Sequence, residues 1–236
     1  MKNLILLLAT FGIFSSCGYQ DVILQTPSDK ITEQEASAGL KSALEVGIGK
    51  GADKVSVLDG YFKHPVIKIP FPPDAIKVAN TLRDLGLGHE VDKVVLTVNR
   101  AAEDAAQQAK PIFINAIKQM TIRDAFDILF GTDSAATHYL RLRTSDQLTT
   151  AFRPVIQNSL DKVNATKYWN DIILRYNQIP LVTKVNPDLT SYVNQMALNG
   201  LFYVVGLEEK KIREDPIART TAILKKVFGY YDRNKK

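Results

Sequence analysis

The sequence predicts an all-α fold, a single bundle-like domain of about eight to ten helices over residues 31–236 with one short extended or hairpin segment near 55–71. Three observations predict it. Apolar residues recur three and four apart through most of the chain, the spacing that lines one face of a helix. Helix-capping patterns led by threonine recur at Thr32, Thr121 and Thr144. A β-branched stretch broken by prolines occurs in only one segment.

The elements follow in order. Thr32-Glu33-Gln34-Glu35 is a capping box, in which the threonine hydroxyl and the Glu35 carboxylate satisfy early helix amides reciprocally. It opens a helix over 33–48 with Ala36, Leu40, Ala43 and Leu44 on one face. Gly47, Gly49 and Gly51 come after a helix, whereas a phosphate loop follows a strand and opens a helix, so they are expected to fray the helix end into a mobile connection. In 55–71, VSVLDGYFKHPVIKIPF, the Asp59-Gly60 turn signal and the breakers Pro65 and Pro70 predict an extended excursion or short hairpin.

Pro72-Pro73-Asp74 starts a helix carrying Ile76, Ala79, Leu82 and Leu85, ended by Gly86 and Gly88. An amphipathic helix over 89–108 carries Val91, Val94, Val95, Val98, Ala102 and Ala105, and Pro111 opens another that ends near Met120. Thr121 caps a short helix over 122–130, stopped by Gly131, and a further helix covers 133–142. Thr144-Ser145-Asp146-Gln147 repeats the capping box before a helix through 160, interrupted or started late by Pro154. The helix over 165–178 places Trp169, Ile172, Ile173 and Tyr176 at core spacing, and long helices over 188–214 and 216–228 complete the chain. No fixed-period repeat or Gly/Ser-rich linker divides it.

The N-terminus carries an address. Lys2 followed by the apolar run LILLLATFGIF over 4–14 has the form of a signal peptide, too short to span a bilayer. Ser15-Ser16 precede Cys17, the only cysteine, and small residues before a lone cysteine resemble the bacterial lipoprotein signal, although Phe14 stands where leucine is usual. The expected organisation is a signal peptide over 1–16, a lipid anchor and tether over 17–30, and a helical domain over 31–236. The alternative is an ordinary secretory signal and a free Cys17. Lipidation at Cys17 would place the protein in the bacterial cell envelope, facing the periplasm with the membrane as partner, and would leave no cysteine for a disulfide or thiolate site.

A chain with 45% hydrophobic and 23% charged residues is of ordinary globular composition. The net charge of +5 is interspersed along the sequence, which, with export, argues against a nucleic-acid partner. The basic tail at Lys225, Lys226, Arg233, Lys235 and Lys236 is either a solvated helix end or a contact for anionic lipid.

His64, His89 and His138 have no ligand spacing, so neither a metal nor a cofactor is expected, and no G-x-S-x-G nucleophile turn is present. Polar residues concentrate between Asn99 and Arg143. Arg100, Glu103, Lys118, Asp124, Tyr139 and Arg141 are the candidate ligand-binding residues, the cations holding an anion and the carboxylates orienting them. The competing reading is an ion-pair and capping network around short helices.

Several of these stretches resemble a family. His64-Pro65-Val66-Ile67-Lys68-Ile69-Pro70, Asn99-Arg100-Ala101-Ala102-Glu103, Lys110-Pro111-Ile112-Phe113, Ala116-Ile117-Lys118-Gln119-Met120-Thr121 and Ala135-Ala136-Thr137-His138-Tyr139 are similar to an uncharacterised bacterial envelope family, domain of unknown function 4197. The resemblance continues through Gly200-Leu201-Phe202 to Lys225-Lys226-Val227-Phe228-Gly229 and covers about residues 31–229. Relatives often carry asparagine where this chain has His64. The resemblance implies no mechanism.

The leading expectation is a non-enzymatic, lipid-anchored periplasmic helical protein that binds an envelope partner or a small amphiphilic or anionic ligand. The alternatives are an enzyme in which Glu103 or Asp124 acts as general base beside Arg141, and a purely structural envelope scaffold with an exposed apolar patch.

Overall fold

The computed structural model describes residues 31–178, 180–181 and 183–234. The expected signal peptide, Cys17 and the expected lipid anchor and tether fall outside them. Among the described residues the chain is all-α, with no strand. Its helices are α1 (Glu33–Val55), α2 (Ile76–Asp84), α3 (Gly88–Ala106), α4 (Ala109–Gln119), α5 (Ile122–Leu129), α6 (Ala135–Asp161), α7 (Ala165–Tyr176), α8 (Leu189–Glu214) and α9 (Ala222–Asn234). Short 3-10 turns at Pro73–Ala75 and Pro216–Ala218 precede α2 and α9. The long helices α1 and α6 both pack on α8, and α6 also packs on α3. Together they bury one continuous core that includes Leu40, Phe113, Leu148, Phe152, Leu201 and Phe202.

The capping box expected at Thr32 forms, and the N-cap expected at Thr121 forms as a full box. Thr32 Oγ1 accepts from Glu35 N at 3.1 Å while Thr32 N donates to Glu35 Oε2 at 3.0 Å. Thr121 and Asp124 make the same reciprocal pair at the start of α5. The box expected at Thr144 does not form. Thr144 lies inside α6, buried, with its hydroxyl donating to the Leu140 carbonyl at 2.7 Å. The stripe of Leu140, Thr144, Leu148, Phe152, Ile156 and Leu160 is buried without a break, and that packing carries one helix through Pro154 where local signals divide it.

α1 runs on to Val55 instead of fraying near 48, and the reason is close packing. A Cβ at Gly47 would stand 2.8 Å from Ile212 Cδ1, and one at Gly51 would already touch the Val205 backbone at 3.4 Å. These glycines let α1 approach α8, and the buried contact outweighs their poor helix propensity.

Three buried charged side chains tie helix ends together. Glu209 of α8 accepts from the Ala136 and Thr137 amides at 3.0 and 2.8 Å, capping α6 from a distant helix. Arg213 ion-pairs with Glu209 at 2.9 Å and donates to the Ile128 and Leu129 carbonyls at the end of α5. Arg219 in turn donates to the Ile212 and Arg213 carbonyls of α8 and pairs with Asp232.

Candidate functional site

The segment between α1 and α2 forms turns, not a hairpin, because side chains of α3 take the backbone groups that a partner strand would have taken. Asp59 adopts a left-handed backbone, φ 69°, and Gly60 closes the turn on the Val57 carbonyl at 3.0 Å. Glu103 Oε1 then accepts from the Tyr61 and Phe62 amides at 3.0 and 3.1 Å. Asn99 exchanges two hydrogen bonds of 2.8 Å with the Ile69 backbone, as a neighbouring strand would. His64 Nδ1 accepts from the Val66 and Ile67 amides at 3.2 and 3.3 Å. Tyr61, fully buried, donates to the Ala197 carbonyl at 2.7 Å, and burial followed by the charge of Glu103 raises its phenol well above the ordinary range. A Cβ at Gly200 would come within 2.6 Å of the Tyr61 ring, so α8 needs glycine there.

The six candidate residues separate into three places. Arg100 and Glu103 are together: Arg100 bridges Glu103 Oε2 at 2.6 Å and Asp59 Oδ1 at 2.7 Å, and its guanidinium lies 5.5 Å from the Phe62 ring. Lys63 and then Arg100 hold the Asp59 carboxyl below its usual range. Asp124 and Tyr139 lie within electrostatic reach of each other and of Arg143. Hydrogen bonds from the Thr121 backbone and then its hydroxyl lower Asp124, while burial and then Asp124 raise Tyr139. Lys118 contributes its carbonyl there, accepting from Lys41 Nζ at 3.4 Å. Arg141 stands apart, 4.4 Å over the Phe202 ring, and donates to Asn199 at 3.3 Å. Among the described residues it forms no ion pair with Glu103 or Asp124, the geometry that a carboxylate base beside Arg141 requires.

A different region is concave. A cleft of about 400 Å³ opens between α2, α3, α7 and the start of α8. Each wall is a helical stripe: Val78 and Leu82 on α2, Val91, Val94 and Thr97 on α3, and Ala165, Tyr168 and Trp169 on α7. Phe71 meets the Trp169 ring edge-on, centroids 5.6 Å apart. At the corner between α2 and α3, Gly86 at φ 78° allows the Leu87 amide to donate to the Leu82 carbonyl at 2.8 Å, and both leucines line the cleft. Trp169 is only 6% exposed, yet its indole N–H has no acceptor among the described residues. Glu90 and Lys93 add charges to the lining.

This cleft was not singled out by sequence reasoning. Trp169 reads as a core residue and Val94 as part of one broad apolar face; the available signal was that α3 carries apolar residues on more faces than a single packing partner needs.

Among the described residues no three His, Cys, Asp or Glu side chains group as a metal site would, and no helix is long and apolar enough to cross a membrane. No curated protein and no solved structure matches the chain. A family model described as "protein of unknown function (DUF4197)" matches residues 30–229, and the chain belongs to that family.

Proposed function

We propose that the protein is a non-enzymatic binder of single-chain amphiphiles, held at the bacterial envelope membrane through lipidated Cys17, with the cleft between α2, α3 and α7 as its binding site. The observation that carries this reading is the cleft itself: about 400 Å³, open to one side and walled by aliphatic and aromatic groups. Small-molecule sites commonly occupy about 300–1,000 Å³ and bury apolar ligand surface against a few polar groups. At about 30 Å³ for each water-sized group, the space takes on the order of ten methylenes, each worth about 0.8 kcal/mol on burial. Tethering beside a membrane supports the reading because it places the cleft next to a supply of such molecules.

Trp169 is the only tryptophan and lines the cleft, so its fluorescence reports occupancy directly. In the full chain carrying Cys17→Ala, titration with dodecanol should give a saturable change that Val94→Glu abolishes while the circular dichroism spectrum is retained. No saturable change with any single-chain amphiphile would overturn the binding role. For the anchor, palmitate labelling in cells should be lost in Cys17→Ala, and persistent labelling would refute lipidation there.

A further inference from the structure

We infer that α2 is the lid of the cleft, pinned at its proline end and swinging on the corner at Gly86 to admit and release the amphiphile. This rests on the amphiphile-binding reading and deepens it from occupancy to entry.

A wall that moves needs weak attachment, somewhere to go and a joint. α2 is nine residues long and packs chiefly on α3. Ala79 is its one buried residue, so little apolar surface holds the helix down. Val78 and Leu82, the side chains it gives to the cleft, are half-buried.

The space lies on the other side of α2. There a second recess of about 500 Å³ is lined by Ile76, Asn80 and Arg83 from α2 and by Lys68 and Pro70 from the preceding segment. Phe71 and Val91 line both hollows. α2 is thus a partition between two recesses with a common floor, and a shift toward the second widens the first without displacing the core.

The joint is asymmetric. Ahead of α2, Phe71, Pro72 and Ala75 are buried, which pins that end. At the other end residues 83–87 are all exposed, and nothing stands within 4 Å of where a Cβ on Gly86 would be. Glycine at φ 78° gives the corner a backbone that can turn further without a side-chain clash. What closes the corner is an exposed ion pair, Arg83 to Asp92 at 2.5 Å, joining the last turn of α2 to α3. A pair in that setting is weak enough to break at each opening.

The test is stopped-flow mixing of dodecanol with the full chain carrying Cys17→Ala, followed by Trp169 fluorescence. A Cβ at Gly88 would stand 3.9 Å from the Arg83 Cα, so an added Arg83→Cys, Gly88→Cys pair is placed to form a disulfide that staples the corner. With Cys17 replaced, no other cysteine competes. The oxidised pair should take up and release dodecanol about tenfold more slowly than the same protein reduced, with the equilibrium affinity little changed, because a lid gates both directions. Arg83→Gln should speed both rates by about two- to fivefold, the range of an exposed ion pair, again at constant affinity. Equal rates in the oxidised and reduced pair would overturn the lid, as would unchanged rates in Arg83→Gln if thiol titration shows that the disulfide does not form. A change of affinity with uptake unaltered would also overturn it, since that marks a fixed wall. No saturable change in the Cys17→Ala parent would instead overturn the amphiphile reading on which the inference rests.

Discussion

Removing the Glu103 carboxylate should unlatch the segment between α1 and α2. Glu103 is 3% exposed, and its two oxygens serve three donors: the Tyr61 and Phe62 amides on Oε1 and Arg100 on Oε2. In Glu103→Ala both amides lose their acceptor, at a cost of about 1–3 kcal/mol for each buried group left unsatisfied. Arg100 loses one of two carboxylate partners, but its side chain is 31% exposed and keeps Asp59, so this adds at most about 1 kcal/mol. The expected loss is about 3–5 kcal/mol, a large share of the about 5–15 kcal/mol typical of a folded domain. Glu103→Gln retains an oxygen for the amides and should lose only about 1 kcal/mol. Urea unfolding followed by circular dichroism and by Trp169 fluorescence measures both, coincident transitions supporting two-state treatment. A Glu103→Ala variant within 1 kcal/mol of wild type would refute the latch. The same experiment bears on the ion-pair cluster as a ligand site: if Arg100→Glu destabilises the fold without changing the affinity of a ligand already shown to bind, the cluster is structural.

Three further outcomes are expected. His64→Asn should retain stability within about 0.5 kcal/mol, since an asparagine oxygen can accept from the Val66 and Ile67 amides as Nδ1 does, whereas His64→Ala should lose about 1 kcal/mol in the same urea titration; equal losses would refute the acceptor role. Glu209→Ala should lose about 3–5 kcal/mol by leaving Arg213 buried without its counter-charge and the start of α6 uncapped, and a thermal midpoint unchanged from wild type would contradict this. Asp59 and Asp124 are both held below their usual range, so they bind protons more weakly folded than unfolded. Their contribution is therefore complete above the unfolded value of about 4 and is lost as pH falls through the lower folded values; thermal midpoints at pH 7 and pH 3 should differ less in the Asp59→Asn, Asp124→Asn double variant than in wild type, and an equal difference would refute the assignment.

Much of the fold is legible from short-range chemistry. Thr32 and Thr121 cap helices because each has an acid three residues on, and that pair closes within one turn whatever surrounds it. Thr144, with Gln147 three residues on, carries the amide version of that pattern and fails, because its position on the α6 stripe buries it against the core. Pro154 reads as a break for the same reason that it is not one: the lost hydrogen bond is local, and the packing of Leu148, Phe152 and Ile156 that compensates comes from other helices. Glycines 47, 49 and 51 misread as fraying for want of their partners, α8 at Gly47 and Gly51 and Lys110 of α4 at Gly49.

The candidate site divides along the same line. The pairing of Arg100 with Glu103 is visible at a spacing of three on one helix, but its third member, Asp59, and the amides of Tyr61 and Phe62 arrive through turns no periodicity describes. The cleft is the extreme case, since Leu82, Val94 and Trp169 each sit in an ordinary amphipathic pattern. By itself the sequence determined the helical class, most helix starts and the family, because capping and amphipathic spacing act within one or two turns. Only the tertiary structure decided which apolar stripes meet each other and which are left facing a cleft. That choice depends on how helices far apart in the chain fill space against one another, and close packing of a core is a property of all its surfaces together.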